Sequence, residues 1–110
     1  MRPQTAKELW TVLTEIFPRF SAHCEEEEIQ PETTFHFVMS DFTTYFGING
    51  DTFSESQLRK LGQFINDVVA VDDNLENAVA TCFLEHLRQV SSYKILAPFL
   101  SRQAKDKTHA

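Results

Sequence analysis

The stretch 54–71, SESQLRKLGQFINDVVAV, decides the fold because it carries a complete helix signal within one segment. Ser54 and Gln57 stand three residues apart at its start, which is the spacing of a capping box. Apolar residues then recur at intervals of three and four, as they do on one face of a helix. That face comprises Leu58, Leu61, Phe64, Ile65, Val68 and Val69. We therefore predict an amphipathic helix here.

The segments on either side repeat this pattern. The stretch 5–17 opens with Thr5 and Glu8, and the stretch 72–90 opens with Asp73 and Glu76, both at the spacing of a capping box. The apolar face of 72–90 comprises Leu75, Val79, Cys82, Phe83, His86, Leu87 and Val90. We predict a helix in each stretch.

The remaining segments give weaker signals. We predict a continuation of helix over 19–28 and a short helix over 91–103 that breaks at Pro98. The stretch 31–47 is rich in Phe and Thr, so a strand remains the alternative for residues 33–46. Three consecutive apolar residues, 37–39, break the alternation of a strand and favour a helix with Gly47 as its C-cap.

These elements predict an all-α fold in one domain of residues 1–110, since 110 residues suffice for one core but not for two. The arrangement is either an antiparallel helix bundle or a paired-helix stack of about five helices. In the second case the pair 54–90 resembles one hairpin of a HEAT-type array. Residues 104–110 are polar, and we expect them to form a frayed tail.

Composition restricts the partners and the compartment. The formal charge of −6 disfavours nucleic acid and anionic membranes, because binding either requires Lys and Arg. No apolar run approaches the 18 residues of a membrane span, and no signal-peptide core follows the start. We expect a cytoplasmic protein in which Cys24 and Cys82 are free thiols.

Catalytic and metal-binding motifs are weakly represented. Cys82 and His86 are spaced i and i+4 on one helical face, but a zinc site needs three or four ligands. A Cys–His nucleophile pair can be assembled in space from Cys24 or Cys82 with His36 or His86. The sequence contains no phosphate-binding loop and no nucleophile-elbow motif. We predict no enzyme, no cofactor and no metal site, and keep a small enzyme or metal-binding protein as the second alternative.

Acidic residues supply the main functional signal. The window 20–58 holds eight acids, four of them consecutive, and neither Lys nor Arg. A solvated helix face is the ordinary interpretation of a charge run. A patch of one sign also costs stability through self-repulsion, which favours a role in binding a basic partner. The candidate contact residues are Glu25, Glu26, Glu27, Glu28, Glu32 and Asp51, with Asp72 and Asp73 as a second set.

The stretch 64–87, FINDVVAVDDNLENAVATCFLEHL, resembles small acidic helical bacterial proteins of polymorphic and contact-dependent growth-inhibition toxin systems. The resemblance implies an immunity protein that occludes the active site of one cognate toxin domain, often a basic nuclease acting in the cytoplasm. It does not identify the contact residues, so the acids remain candidates from charge alone. A helical adaptor or regulatory domain is the alternative function, and the oligomeric state stays open.

Overall fold

A computed structural model of the protein describes residues 2–87, 89 and 92–108, and they contain helices, turns and loops but no strand. The predicted all-α class is confirmed, including the stretch 33–46. The α-helices are α1 (Ala6–Ile16), α2 (Phe20–His23), α3 (Phe35–Ile48), α4 (Glu55–Val69), α5 (Asn74–Val79), α6 (Glu85–Leu87), α7 (Tyr93–Leu96) and α8 (Arg102–Asp106). A π-helical segment, Ala80–Leu84, joins α5 to α6 without a break. Glu26–Glu28, Gly50–Thr52 and Ala97–Phe99 form single 3₁₀ turns.

Side chains cap the main helices where the sequence predicts. Ser54 and Gln57 form a complete capping box at the start of α4. The Thr5 hydroxyl accepts the N–H of Glu8. The Glu8 carboxylate accepts the N–H of Gln4, the residue before the N-cap Thr5, instead of the N–H of Thr5 itself. The cap of α3 is Thr34, which accepts the N–H of Phe37 and starts that helix later than predicted.

The core lies beneath α3, which packs against α1, α5 and the π-helical segment. Its centre is an aromatic cluster, since the Phe42 ring lies 5.4 Å from Phe17, 5.3 Å from Phe20 and 5.6 Å from Phe83 between centroids. All four rings are fully buried. Aromatic pairs at such distances add about 0.5–1.5 kcal/mol beyond the burial of their area.

Two boundaries differ from the predictions. Gly47 does not end α3, because the helix continues through Ile48 and Asn49 is its C-cap. The predicted frayed tail instead carries α8, in which Ala104 is fully buried, and Thr108 beyond it is buried as well. Val90, predicted on the apolar face of 72–90, lies outside the described residues.

Polar contacts fix the C-terminal segment on α4 and α5. The Asn66 side chain donates to the carbonyl of Phe99 and accepts the N–H of Ser101. Lys107 forms an ion pair of 2.9 Å with Glu76, whose side chain is 10% exposed. This pairing makes Asp73 and Glu76 only half of a capping box: Asp73 accepts the Glu76 N–H, but the Glu76 carboxylate points to Lys107. None of the described helices is long and apolar enough to cross a membrane.

Candidate docking surface

The four consecutive glutamates lie in a loop of residues 24–34, hereafter the acidic loop, between α2 and α3. The predicted helix 19–28 is wrong from Cys24 onward, where the backbone becomes extended with φ of −129°. The following 3₁₀ turn leaves Glu25–Glu28 exposed. A continued helix would place glutamates three residues apart next to each other on its surface. Repulsion between these like charges disfavours that helix.

Specific contacts tie the acidic loop to α1 and to itself. The Trp10 indole N–H donates to the Cys24 carbonyl at 2.7 Å. Lys7 on α1 forms an ion pair of 2.6 Å with Glu26, and the Glu28 carboxylate accepts the Glu25 N–H at 2.8 Å. The loop is thus held in one arrangement that presents its remaining carboxylates to solvent.

The structure reduces the charge imbalance that the sequence shows. Two of the eight acids in the window 20–58 have a basic partner from outside it, because Lys7 contacts Glu26 and Arg59 contacts Glu55. Glu25, Glu27 and Glu32 are exposed and form no ion pair with any residue in the described part of the chain. Glu28 and Asp51 are also exposed and outside these ion pairs, but the Glu28 carboxylate accepts the Glu25 N–H and Asp51 lies beyond the other end of α3. Glu25, Glu27 and Glu32 are therefore the strongest candidates for contact with a basic partner.

Asp41 on α3 extends the acidic surface beyond the loop. The buried Cys24 thiol donates to the Asp41 carboxylate, and Glu28 also acts on that thiol through its charge. Burial first, and then these two acids, raise the pKa of Cys24 to about 12. Asp41 and Glu28 are therefore both near enough to Cys24 for their charges to act on its thiol.

The solvent side of α3 carries two exposed apolar side chains. We define the outer face of α3 as Phe37, Asp41, Thr44 and Ile48, which follow one another at helical spacing. Phe37 is 42% exposed and Ile48 is 71% exposed, whereas the buried residues of α3 point toward the core. Phe37 therefore lies off the buried apolar stripe of α3.

The predicted acids do not form a single patch. Asp51 follows the C-terminal end of α3, and Glu32 precedes its N-terminal end, so a 14-residue helix of about 21 Å separates them. The Asp73 carboxylate already has two partners, since it caps α5 and forms an ion pair of 2.7 Å with Arg2. The Arg2 hydrogen bond is the main cause of the lowered pKa of Asp73. Asp72 is exposed beside it.

Cys82 contacts a histidine, but not the one that the spacing indicates. Its Sγ lies 3.1 Å from Nδ1 of His36 on α3, and His86 is exposed four residues later. Of the four Cys–His pairs that the sequence allows, Cys82 with His36 is therefore the pair that the fold brings within hydrogen-bond distance, and Cys82 lies in the π-helical segment. Within the described residues, no group of three or more His, Cys, Asp or Glu side chains has the geometry to hold a metal ion.

A cavity of about 480 Å³ opens at the N-terminal end of α3. Pro31 and Thr33, which flank Glu32, line it together with His36 and with Asn74 at the start of α5. The cavity therefore brings the end of the acidic loop and the turn after Asp73 to one end of the molecule. The sequence gives no signal for this neighbourhood, because its residues come from distant segments.

The fold and this surface define the protein as an all-α domain with an acidic loop that leads into a partly apolar helix face. The chain belongs to a family of domains of unknown function, DUF7674, whose model matches residues 10–107. No curated protein and no solved structure matches the chain significantly.

Proposed function

We propose that this domain binds a basic protein partner through the acidic loop and the outer face of α3, without chemistry of its own. The partner we favour is a toxin domain whose active site the bound protein covers. The resemblance of residues 64–87 to immunity proteins supports that choice, and a toxin acting in the cytoplasm requires a cytoplasmic inhibitor.

The observation that carries the proposal is the adjacency of charge and apolar surface. Asp41 shares the outer face of α3 with Phe37, one helical turn away, and the acidic loop ends at Thr34, the N-cap of α3. The acidic loop therefore leads directly into the helix that exposes Phe37. Interfaces commonly combine an aromatic anchor with a polar rim, and exposed aromatic residues are enriched among those that dominate binding energy.

Charge and apolar surface would perform different tasks in such an interface. Glu25, Glu27 and Glu32 would raise the rate of encounter with a basic surface, and salt would weaken this effect. Phe37 and Ile48 would lose their contact with water on binding and so slow dissociation. Glu32 beside the cavity is the acid we expect to enter a basic active site.

A helical adaptor is the alternative, because it would use the same surface without inhibiting its partner. Co-expression in bacteria with the product of the gene adjacent to the one encoding this chain separates the two. The account predicts that the adjacent product stops growth when produced alone, that this protein restores growth, and that the two copurify at equal stoichiometry.

A variant with Glu25, Glu27 and Glu32 replaced by Lys should fail to restore growth while remaining folded by circular dichroism. Copurification without any effect on growth would favour the adaptor. If the two proteins neither copurify nor affect each other in growth, the proposed function is wrong.

A further inference from the structure

The two cysteines lie in opposite chemical environments. Cys24 is fully buried, and burial together with Asp41 and Glu28 keeps its thiol protonated. A thiol that is neither accessible nor ionised is a poor nucleophile. Cys24 is therefore an internal reference for a cysteine that the fold makes inert.

Cys82 is partly exposed and has an imidazole within hydrogen-bond distance. The His36 Nδ1 lies 3.1 Å from its Sγ, and the His36 side chain is exposed. Two contacts fix the position of this pair: the Thr43 hydroxyl donates to the Cys82 carbonyl, and the Thr81 hydroxyl lies 3.7 Å from the sulfur. Because the pair joins α3 to the π-helical segment, both elements have to be folded for it to form.

A cysteine beside a histidine is a pair in which the histidine can activate the thiol as a nucleophile. An imidazole can accept the thiol proton, and the imidazolium then stabilises the thiolate through opposite charge. The thiolate, and not the thiol, is the form that attacks sulfur electrophiles. π-Helical turns also occur frequently at functional sites, and this one holds Cys82.

We propose that Cys82, activated by His36, is a modification site that forms a mixed disulfide with small-molecule disulfides. The Cys82 proton passes to His36 Nδ1, and the thiolate attacks one sulfur of the small disulfide. A new S–S bond forms at Cys82 as the S–S bond of the reagent breaks. The second half of the reagent leaves as a thiolate with the bonding electron pair and takes up the proton from His36. The reagent disulfide is the oxidant of this exchange, because Cys82 is oxidised as the released half is reduced to a thiol.

A cavity lies on the imidazole side of the pair. His36 lines this cavity of about 480 Å³ at the N-terminal end of α3, and small-molecule sites commonly measure about 300–1,000 Å³, but Cys82 is not among the residues that line it. Thr33, Thr34 and Asn74 also line the cavity. A polar peptide-like disulfide such as oxidised glutathione is a suitable probe.

The test treats the folded wild-type protein with oxidised glutathione and locates the adduct by peptide mass spectrometry over time. We expect the adduct at Cys82, with Cys24 at least about tenfold slower, because Cys24 is fully buried and burial raises its pKa to about 12. Replacing His36 by Asn should slow the Cys82 reaction about tenfold, because the Asn side chain cannot take up the thiol proton.

His86→Asn is the matched control, because His86 is exposed and lies four residues from Cys82. We expect it to react at the wild-type rate. In urea both cysteines should react alike, and His36→Asn should then have no effect. His36→Gln provides a second variant if the first does not fold. Equal rates for Cys24 and Cys82 in the folded protein, or a wild-type rate in the folded His36 variants, would overturn the proposal.

Discussion

The two sides of α3 contain similar residues and have opposite surroundings. The inner side buries Val38, Met39, Phe42, Tyr45 and Phe46 in the aromatic core. The outer face exposes Phe37 and Ile48 to solvent beside the acidic loop. The difference therefore separates the residues that stabilise the fold from those available to a partner.

The largest effect should come from the inner side. Phe42→Ala removes the ring at the centre of the aromatic cluster and should lower the free energy of unfolding by about 3–5 kcal/mol. Phe37→Ala is the matched change five residues earlier on the same helix, and it should cost about 0.5 kcal/mol or less because the side chain is already 42% exposed. Urea denaturation followed by circular dichroism measures both. Equal losses would mean that the outer face of α3 is packed.

Substitutions on the outer face of α3 should have a smaller effect. This effect should appear in the affinity for the partner and not in the free energy of unfolding. Phe37→Ser and Ile48→Ser should each weaken binding to the adjacent gene product by about 1–2 kcal/mol, mainly through faster dissociation. Ile95→Ser is the control, because Ile95 is similarly exposed at 38% but lies on α7. Surface plasmon resonance gives the rates. If the Ile95 change weakens binding as much as the other two, the apolar contact is not on α3.

Local signals in the sequence account for most of the fold. The capping pairs at Ser54, Thr5 and Asp73 locate three helix starts, because a cap depends on residues three positions apart. The tail is different: Ala104 and Thr108 are buried by distant contacts that no local pattern shows. The end of α3 is a second example. Gly47 has the residue type of a C-cap, but α3 continues to Ile48, and Asn49 is its C-cap.

The candidate site was less predictable for the same reason. The sequence indicates the acids, but not that Lys7 forms an ion pair with Glu26 or that Arg2 forms one with Asp73. Cys82 with His36 is one of the four Cys–His pairs that the sequence allows, and only the fold selects it from the others. Each of these contacts joins segments far apart in the chain, so the fold has to be known before the actual partners can be identified.

The central claim is that charge on the acidic loop, and not net charge, recruits the partner. The most direct measurement is the affinity for the adjacent gene product as a function of salt concentration, by isothermal titration calorimetry. One variant carries Lys at Glu25, Glu27 and Glu32, which form no ion pair with any described residue. The control carries Lys at Glu15, Asp67 and Glu85, which are exposed on other helices and change the net charge equally.

We predict that the loop variant binds about tenfold more weakly or worse, since each exposed pair contributes about 0–1 kcal/mol, and that its salt dependence is flatter. The control should keep nearly the wild-type affinity and salt dependence. If the loop variant binds as the wild type does at every salt concentration, or if both variants lose affinity equally, the acidic loop is a solvated surface and the account is wrong.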